Sequence, residues 1–292
     1  MTRSSSTSVS ARQVVIIGAP RSGTNMLRDL ITSADGVATW PCDEINYIWR
    51  HGNMRFPSDA FTTNMVQPWI QTYIRRKFQW VAQQYDAHTV VEKTCANSLR
   101  VGYVDRVLYE PKYIFIYRNG LDTVSSAMNR WRASLDLPYV LRKARFVPAS
   151  DLPYYALRYI RSRIGRLRSS DRRLTTWGPV LPEMLNAERP NDLAELCAYQ
   201  WQVCVERSLD SFDSMSGDRV LKIAYEKLVE DKTVHASRIE EFLDLNVNAL
   251  TGSTFLGEIS TESIGMASAE MSPETISRIN HIIGPTMRRL DY

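Results

Sequence analysis

Apolar residues recur along this chain in two patterns that take turns. Short, mostly unbroken apolar runs occupy 14–17, 37–39, 89–91, 113–117 and 220–223. Runs of that length, rich in β-branched residues and lacking a polar face, predict strands buried on both sides, the habit of a parallel sheet. Between them the spacing changes to three and four. Met26, Leu27, Leu30 and Ile31 predict a helix over 25–33, and Trp69, Tyr73, Phe78 and Trp80 predict one over 61–84. Further helices are expected over 97–109, 121–131 and 232–243. Strands alternating with helices give an α/β class: a three-layer α/β/α domain over 14–292 with a central parallel sheet.

The pattern lapses between about 129 and 195. Residues 130–173 hold twelve Lys or Arg against Asp136, Asp151 and Asp171, with Tyr139, Phe146, Tyr154, Tyr155 and Tyr159 among them. This reads as a basic helical insertion on the domain, either a solvated face or a surface that meets anions. Residues 1–13 are polar and rich in Ser and Thr, which predicts a disordered tail; two arginines and no acid leave a transit peptide as the alternative.

Composition narrows the class. A chain of 292 residues with 44% hydrophobic residues can bury one large core. A net charge of +4 does not imply general affinity for nucleic acid. Cys42, Cys95, Cys197 and Cys204 form no CxxC pair, so neither a zinc site nor a redox motif is expected. Cys197 and Cys204, seven apart, would share one helix face. No run approaches the ~18 apolar residues of a membrane span. A cytoplasmic, bacterial protein is the expectation, with a homodimer left open.

The sharpest signal is Gly18-Ala19-Pro20-Arg21-Ser22-Gly23-Thr24-Asn25. It follows a strand and opens a helix, where backbone N–H groups and the helix N-terminus favour an anion. The frame is G-x-x-x-x-G, as in nucleotide-binding P-loops. Thr24 and Asn25 stand where those loops carry Lys and Ser or Thr, and the cation, Arg21, lies inside the loop. That departure argues against a magnesium-dependent kinase or NTPase. A second constellation follows the 113–117 strand, where Arg118 and, two helical turns later, Ser126 converge on one anion.

These residues resemble the sulfotransferase family. The Gly18–Thr24 segment is similar to its 5′-phosphosulfate loop, closest to the tyrosylprotein type and its bacterial relatives. The Arg118–Ser126 spacing matches its 3′-phosphate motif. Asn25 stands where the family usually has a second Thr. The resemblance implies the donor 3′-phosphoadenosine 5′-phosphosulfate (PAPS), the product adenosine 3′,5′-bisphosphate (PAP), and no metal. It places Arg21 on the 5′-phosphate and sulfuryl group. It also makes Glu44 the base, with Asp43 as its rival and His51 and His88 as alternatives. Glu92-Lys93-Thr94 resembles a family segment whose Lys faces the transferring group, with Cys95 in place of Pro; a surface Glu–Lys pair is the alternative. Tyr225 lies in a segment similar to Tyr-Glu-x-Leu-Val, beside the donor or simply structural, and the ending, 279–292, resembles the family's final helix. Ser263 to Ser268 corresponds to a family stretch with a basic residue for the 3′-phosphate, which is absent here at Met266. The acceptor is a hydroxyl on a glycan, lipid-linked sugar, small metabolite or tyrosine peptide. Besides the kinase or NTPase, a non-catalytic nucleotide-binding protein is the remaining competitor.

Overall fold

The computed structural model describes residues 11–132, 145–157, 177–185 and 192–292. Most of the expected basic insertion (133–144, 158–176 and 186–191) and residues 1–10 of the expected tail lie outside the described residues.

Five parallel strands form one sheet in the order β2-β3-β1-β4-β5. They are β1 (Arg12–Ile17), β2 (Val37–Ala38), β3 (Thr89–Lys93), β4 (Lys112–Tyr117) and β5 (Val220–Ala224). Alternate residues of each strand enter separate cores, as the two-residue period of a strand requires. Val14, Ile16, Val91, Ile114 and Ile116 face one core. It is closed by α1 (Thr24–Ile31) and by the later helices α7 (Tyr225–Glu230) and α8 (Lys232–Leu243). Val15, Ile17, Val90, Tyr113 and Phe115 face the other. That side is covered by α2 (Asn46–Trp49), α3 (Pro68–Gln84), α4 (Val101–Val107), α5 (Gly120–Arg132) and α6 (Leu193–Phe212). The expected three-layer α/β/α architecture is present. Three short or terminal helices complete the chain: α9 (Thr254–Glu258), α10 (Ala267–Glu270) and α11 (Pro273–Arg289). Among the described residues no helix is long and apolar enough to cross a membrane.

Helix limits differ from the expected ones for local reasons. Helix α3 starts at Pro68 and not near 61, because Gln67, preceding a proline, is held extended. Residues 97–99 belong to a 3-10 turn, Cys95–Leu99, and the α-helical course begins only at Val101, since Arg100 leaves helical geometry. Helix α11 begins at Pro273, before the expected 279, where the Ser272 side chain caps the Thr275 N–H.

The largest departure is α6, twenty residues long, in a stretch the apolar pattern leaves without an element. Asp192 caps it through the N–H groups of Ala194 and Glu195. Leu196, Cys197, Trp201, Cys204, Val205, Leu209 and Phe212 then bury one broad face, so Cys197 and Cys204 do share it. This helix packs on α5 and α11. Trp201 presses on Gly120, the first residue of α5, where an added Cβ would sit 3.2 Å from the indole. Parts of the expected insertion are themselves core: Trp131 and Leu181 are fully buried.

Truncating the anchor of α6 tests this placement. Trp201→Ala should cost about 3–5 kcal/mol in urea denaturation. Trp80→Ala, on the exposed face of α3, should stay within about 0.5 kcal/mol.

Candidate active site

The sheet order sets the location. Strand β1 lies between β3 and β4, and the chain crosses from one side of β1 to the other after β3. Ligands gather at the carboxyl ends of strands at such a reversal. Three of the expected segments leave those ends side by side: the Gly18 loop from β1, Lys93 and Thr94 from β3, and Arg118 from β4.

The Gly18 loop is fixed by close packing. A Cβ on Gly18 would lie 2.5 Å from the Ile116 carbonyl oxygen, and one on Gly23 would lie 2.4 Å from the Tyr225 ring. Gly23 has φ +86 and Arg21 has φ 73, so the loop turns through left-handed geometry at both positions. Pro20 is buried between them and the strand. Helix α1 then starts at Thr24 with no side chain capping its first turn and no acid in it. Its N-terminal N–H groups are therefore available to an anion. The Ser22 hydroxyl is buried without a protein partner, as a phosphate-binding hydroxyl would be. Asn25 is exposed, and its side chain accepts from Arg28 at 3.5 Å.

The two anion motifs meet. Arg21 Nε donates to Ser126 Oγ at 2.9 Å, and Arg118 Nη1 donates to the Arg21 carbonyl at 3.3 Å. Arg118 stacks on Tyr225 at 4.7 Å from the ring centroid and donates to the Ser263 carbonyl. Tyr225 OH shares a 2.7 Å hydrogen bond with Ser263 Oγ. Tyr225 is thus wedged between Gly23 and Arg118. Partial burial, then the charges of Arg130 and Arg118, lower the pKa of Arg21. Such a gathering of cations is stabilised by an anionic ligand.

The Met266 stretch also reaches this site. Asp122, one turn beyond Arg118, accepts from Gly265 N–H at 2.7 Å and from Ala267 N–H at 3.0 Å. Met266 is held beside the anion motif without bringing charge. The cation missed by sequence reasoning is Arg130, which sequence counting places with the insertion. It lies on α5 four residues beyond Ser126, and its i, i+4 spacing was the available signal.

Glu44, Lys93 and Cys95 form the other wall. Glu44 Oε1 accepts from Lys93 Nζ at 3.2 Å and from Cys95 N–H at 3.3 Å. Burial of the Lys93 ammonium works against its charge, but Glu44 outweighs it and the pKa is raised. Lys93 is 3% exposed on its side chain, which removes the surface-pair alternative. Cys95 Sγ touches Thr24 Oγ1 at 3.8 Å, joining this wall to the loop.

The alternative bases sit elsewhere. Asp43 faces Arg28 of α1, Oδ1 to Nη1 at 3.6 Å. His51 binds Asp151 at 2.8 Å and packs on Tyr73 and Trp69. His88 precedes β3, at the opposite end of the sheet, and shares a hydrogen bond with Thr89 at 3.0 Å.

Comparison with known proteins bears on this site. Residues 11–289 match the sulfotransferase domain family. The fold is similar to that of the sulfotransferase domain from the curacin biosynthetic pathway, with TM-score 0.54 and 12% identity over 94% of this chain and 98% of that one. It is similar to the sulfotransferase domain from the Synechococcus PCC 7002 olefin synthase, with TM-score 0.52 and 14% identity over 96% and 98%. Mouse sulfotransferase SULT7A1, complexed with PAP, gives TM-score 0.52 and 15% identity over 95% of this chain and 85% of that one. No curated protein sequence matches the chain at a significant level.

Gly23→Ala combines a positive φ with a collision against Tyr225. It should destabilise the protein by about 1–3 kcal/mol in thermal or urea unfolding, more than Gly217→Ala. A Cβ at Gly217 meets nothing within 4 Å.

Proposed function

The chain belongs to the sulfotransferase domain family, and we propose that it transfers a sulfuryl group from PAPS, in line and without a metal, to an acceptor hydroxyl. The observation that carries this reading is the meeting of two anion-binding elements, the Gly18–Asn25 loop and the Arg118–Ser126 pair, through the 2.9 Å contact of Arg21 with Ser126. A donor phosphorylated at both ends uses both elements, whereas a nucleoside triphosphate needs only the first. The PAP complex of the mouse relative supports the same donor class.

Transfer of this kind needs positioning, a proton acceptor and positive charge near the sulfonate oxygens. The loop N–H groups, Ser22 and Thr24 receive the 5′-phosphate, which leaves as the S–O bond to it breaks. Arg118 and Ser126 hold the 3′-phosphate, with Arg130 supplying charge that the Met266 stretch lacks. The acceptor oxygen bonds to sulfur as Glu44 takes its proton. Lys93 and Arg21 balance charge on the non-bridging oxygens, the part a metal plays in nucleoside triphosphate chemistry.

Calorimetric titration should show tight PAP binding and much weaker ATP binding; equal affinity would remove the donor assignment. Arg118→Ala should weaken PAP binding by about 10- to 100-fold, the worth of one charged hydrogen bond. Glu44→Gln should lower radiolabelled sulfate transfer, scored over a panel of phenols, sugars and tyrosine peptides, by about 10²- to 10⁴-fold while PAP binding is kept.

A further inference from the structure

The proposed base is followed directly by a closed ring of buried hydrogen bonds that the reaction itself does not use. Glu92, the neighbour of Lys93 on β3, is fully buried. Its Oε1 accepts from Thr94 Oγ1, and its Oε2 accepts from Asn97 Nδ2 at 2.8 Å. The Thr94 oxygen in turn accepts from Ile45 N–H at 3.1 Å. On the other side, Asn97 Oδ1 accepts from Arg100 Nε at 2.8 Å, and Arg100 Nη2 donates to Asn46 Oδ1 at 2.6 Å. Ile45 and Asn46 are consecutive, so the ring closes on the two residues after Glu44. Asp59 anchors it from outside, accepting from Asn46 Nδ2 at 3.2 Å and from Arg50 at 2.7 Å.

Every donor in this ring has a fixed direction. A hydroxyl has one proton. Thr94 spends it on Glu92, which leaves its lone pairs aimed at the Ile45 amide. Only an acceptor with two free oxygens serves both Thr94 and Asn97. Resting on the reading of Glu44 as the base, we propose that Glu92 is a positioning residue: through Thr94 on one side and Asn97–Arg100 on the other, it sets the backbone at Ile45 and Asn46. That backbone holds the Glu44 carboxyl against Lys93 and the Cys95 N–H.

The electrostatics of the ring are consistent with a role beyond packing. Burial raises the Glu92 carboxyl to about 7, against the hydrogen bond from Thr94 and the charges of Arg100 and Lys93. The Trp49 indole also faces it. A carboxyl raised in this way is ionised above about pH 7 and takes up a proton below it. The protonated form has one acceptor oxygen fewer for its two donors, so the clamp on Ile45 loosens as pH falls.

Glu92→Gln keeps the shape and breaks the directions. Its amide group would face either Thr94 or Asn97 with a donor, and flipping Asn97 would set donor against donor at Arg100. Thr94→Val removes the hydroxyl at equal size, and Thr94→Ser restores it. Amide hydrogen exchange at Ile45 needs no acceptor and reads the clamp directly. Glu92→Gln and Thr94→Val should each speed it at least tenfold, while amides of α1 are unchanged and PAP affinity is kept. In sulfate transfer from PAPS, both should lower kcat by about 10- to 100-fold, the cost of a misplaced catalytic group, with little change in KM for PAPS. Thr94→Ser should recover most of that loss. The wild-type fall in kcat below about pH 7 should flatten in Glu92→Gln. Unchanged Ile45 exchange in both variants, or a Thr94→Val enzyme with wild-type kcat, overturns the inference. Loss of PAP binding by the wild-type protein would instead remove the donor reading and leave the exchange result standing on its own.

Discussion

The pairing of β1 with β3 on one edge and β4 on the other is the constraint on which the site depends. Neither the Gly18 loop nor Lys93 nor Arg118 is close to the others in sequence. Parallel pairing in the observed register, Ile16 beside Lys93 and Ile17 beside Phe115, brings their strand ends into one row. The two cores then fix the sheet from either face. The core of Val14 and Ile16 makes α1 meet the loop it follows, and the core of Val15 and Ile17 places α6 behind α5, which carries Ser126 and Arg130. Stability and site geometry are thus joined: the contacts that bury Trp201 also locate the start of the helix that carries Ser126.

Charge within the site is balanced in two separate ways. On one wall, Lys93 and Glu44 neutralise each other under substantial burial, an arrangement in which removing either partner leaves the other poorly solvated. On the other wall, Arg21, Arg118 and Arg130 lie near one another, with Asp122 the acid that approaches Arg118, at 3.9 Å. Asp122 is also engaged by two backbone amides of the Met266 stretch. In the proposed reaction the excess positive charge meets the doubly phosphorylated ligand, and the neutral pair meets the acceptor oxygen.

Much of this was legible in the sequence because the relevant signals are local. A strand, a Gly-rich turn and a helix start within a dozen residues of each other, and Arg118 and Ser126 lie within two helical turns. Short, mostly apolar runs identified all five strands for the same reason. Glu44 could be reached only through family resemblance, since its contact with Lys93 joins residues far apart in the chain. Helix α6 was missed although its apolar spacing is regular, because its start adjoins a basic stretch with no clear periodicity. The Glu92 ring was invisible for a different reason. A Glu, a Thr, an Asn and an Arg in nine residues look like surface, and only the fold shows that each polar group has found a partner inside. Arg130 was counted with the insertion because the apolar pattern lapses from about 129, although the residue falls inside the helix expected over 121–131 and observed over Gly120–Arg132.

Glu92 and Lys93 are neighbours on one strand and so point to opposite sides of the sheet. One side is the interior ring and the other the reaction centre. A one-residue slip of β3 between β2 and β1 would exchange them, presenting an acid to the departing phosphate and burying an ammonium among donors. The register of a single short strand therefore decides the sign of the charge that the chemistry meets, and pairing with a strand on each edge makes that sign a property of the sheet as a whole.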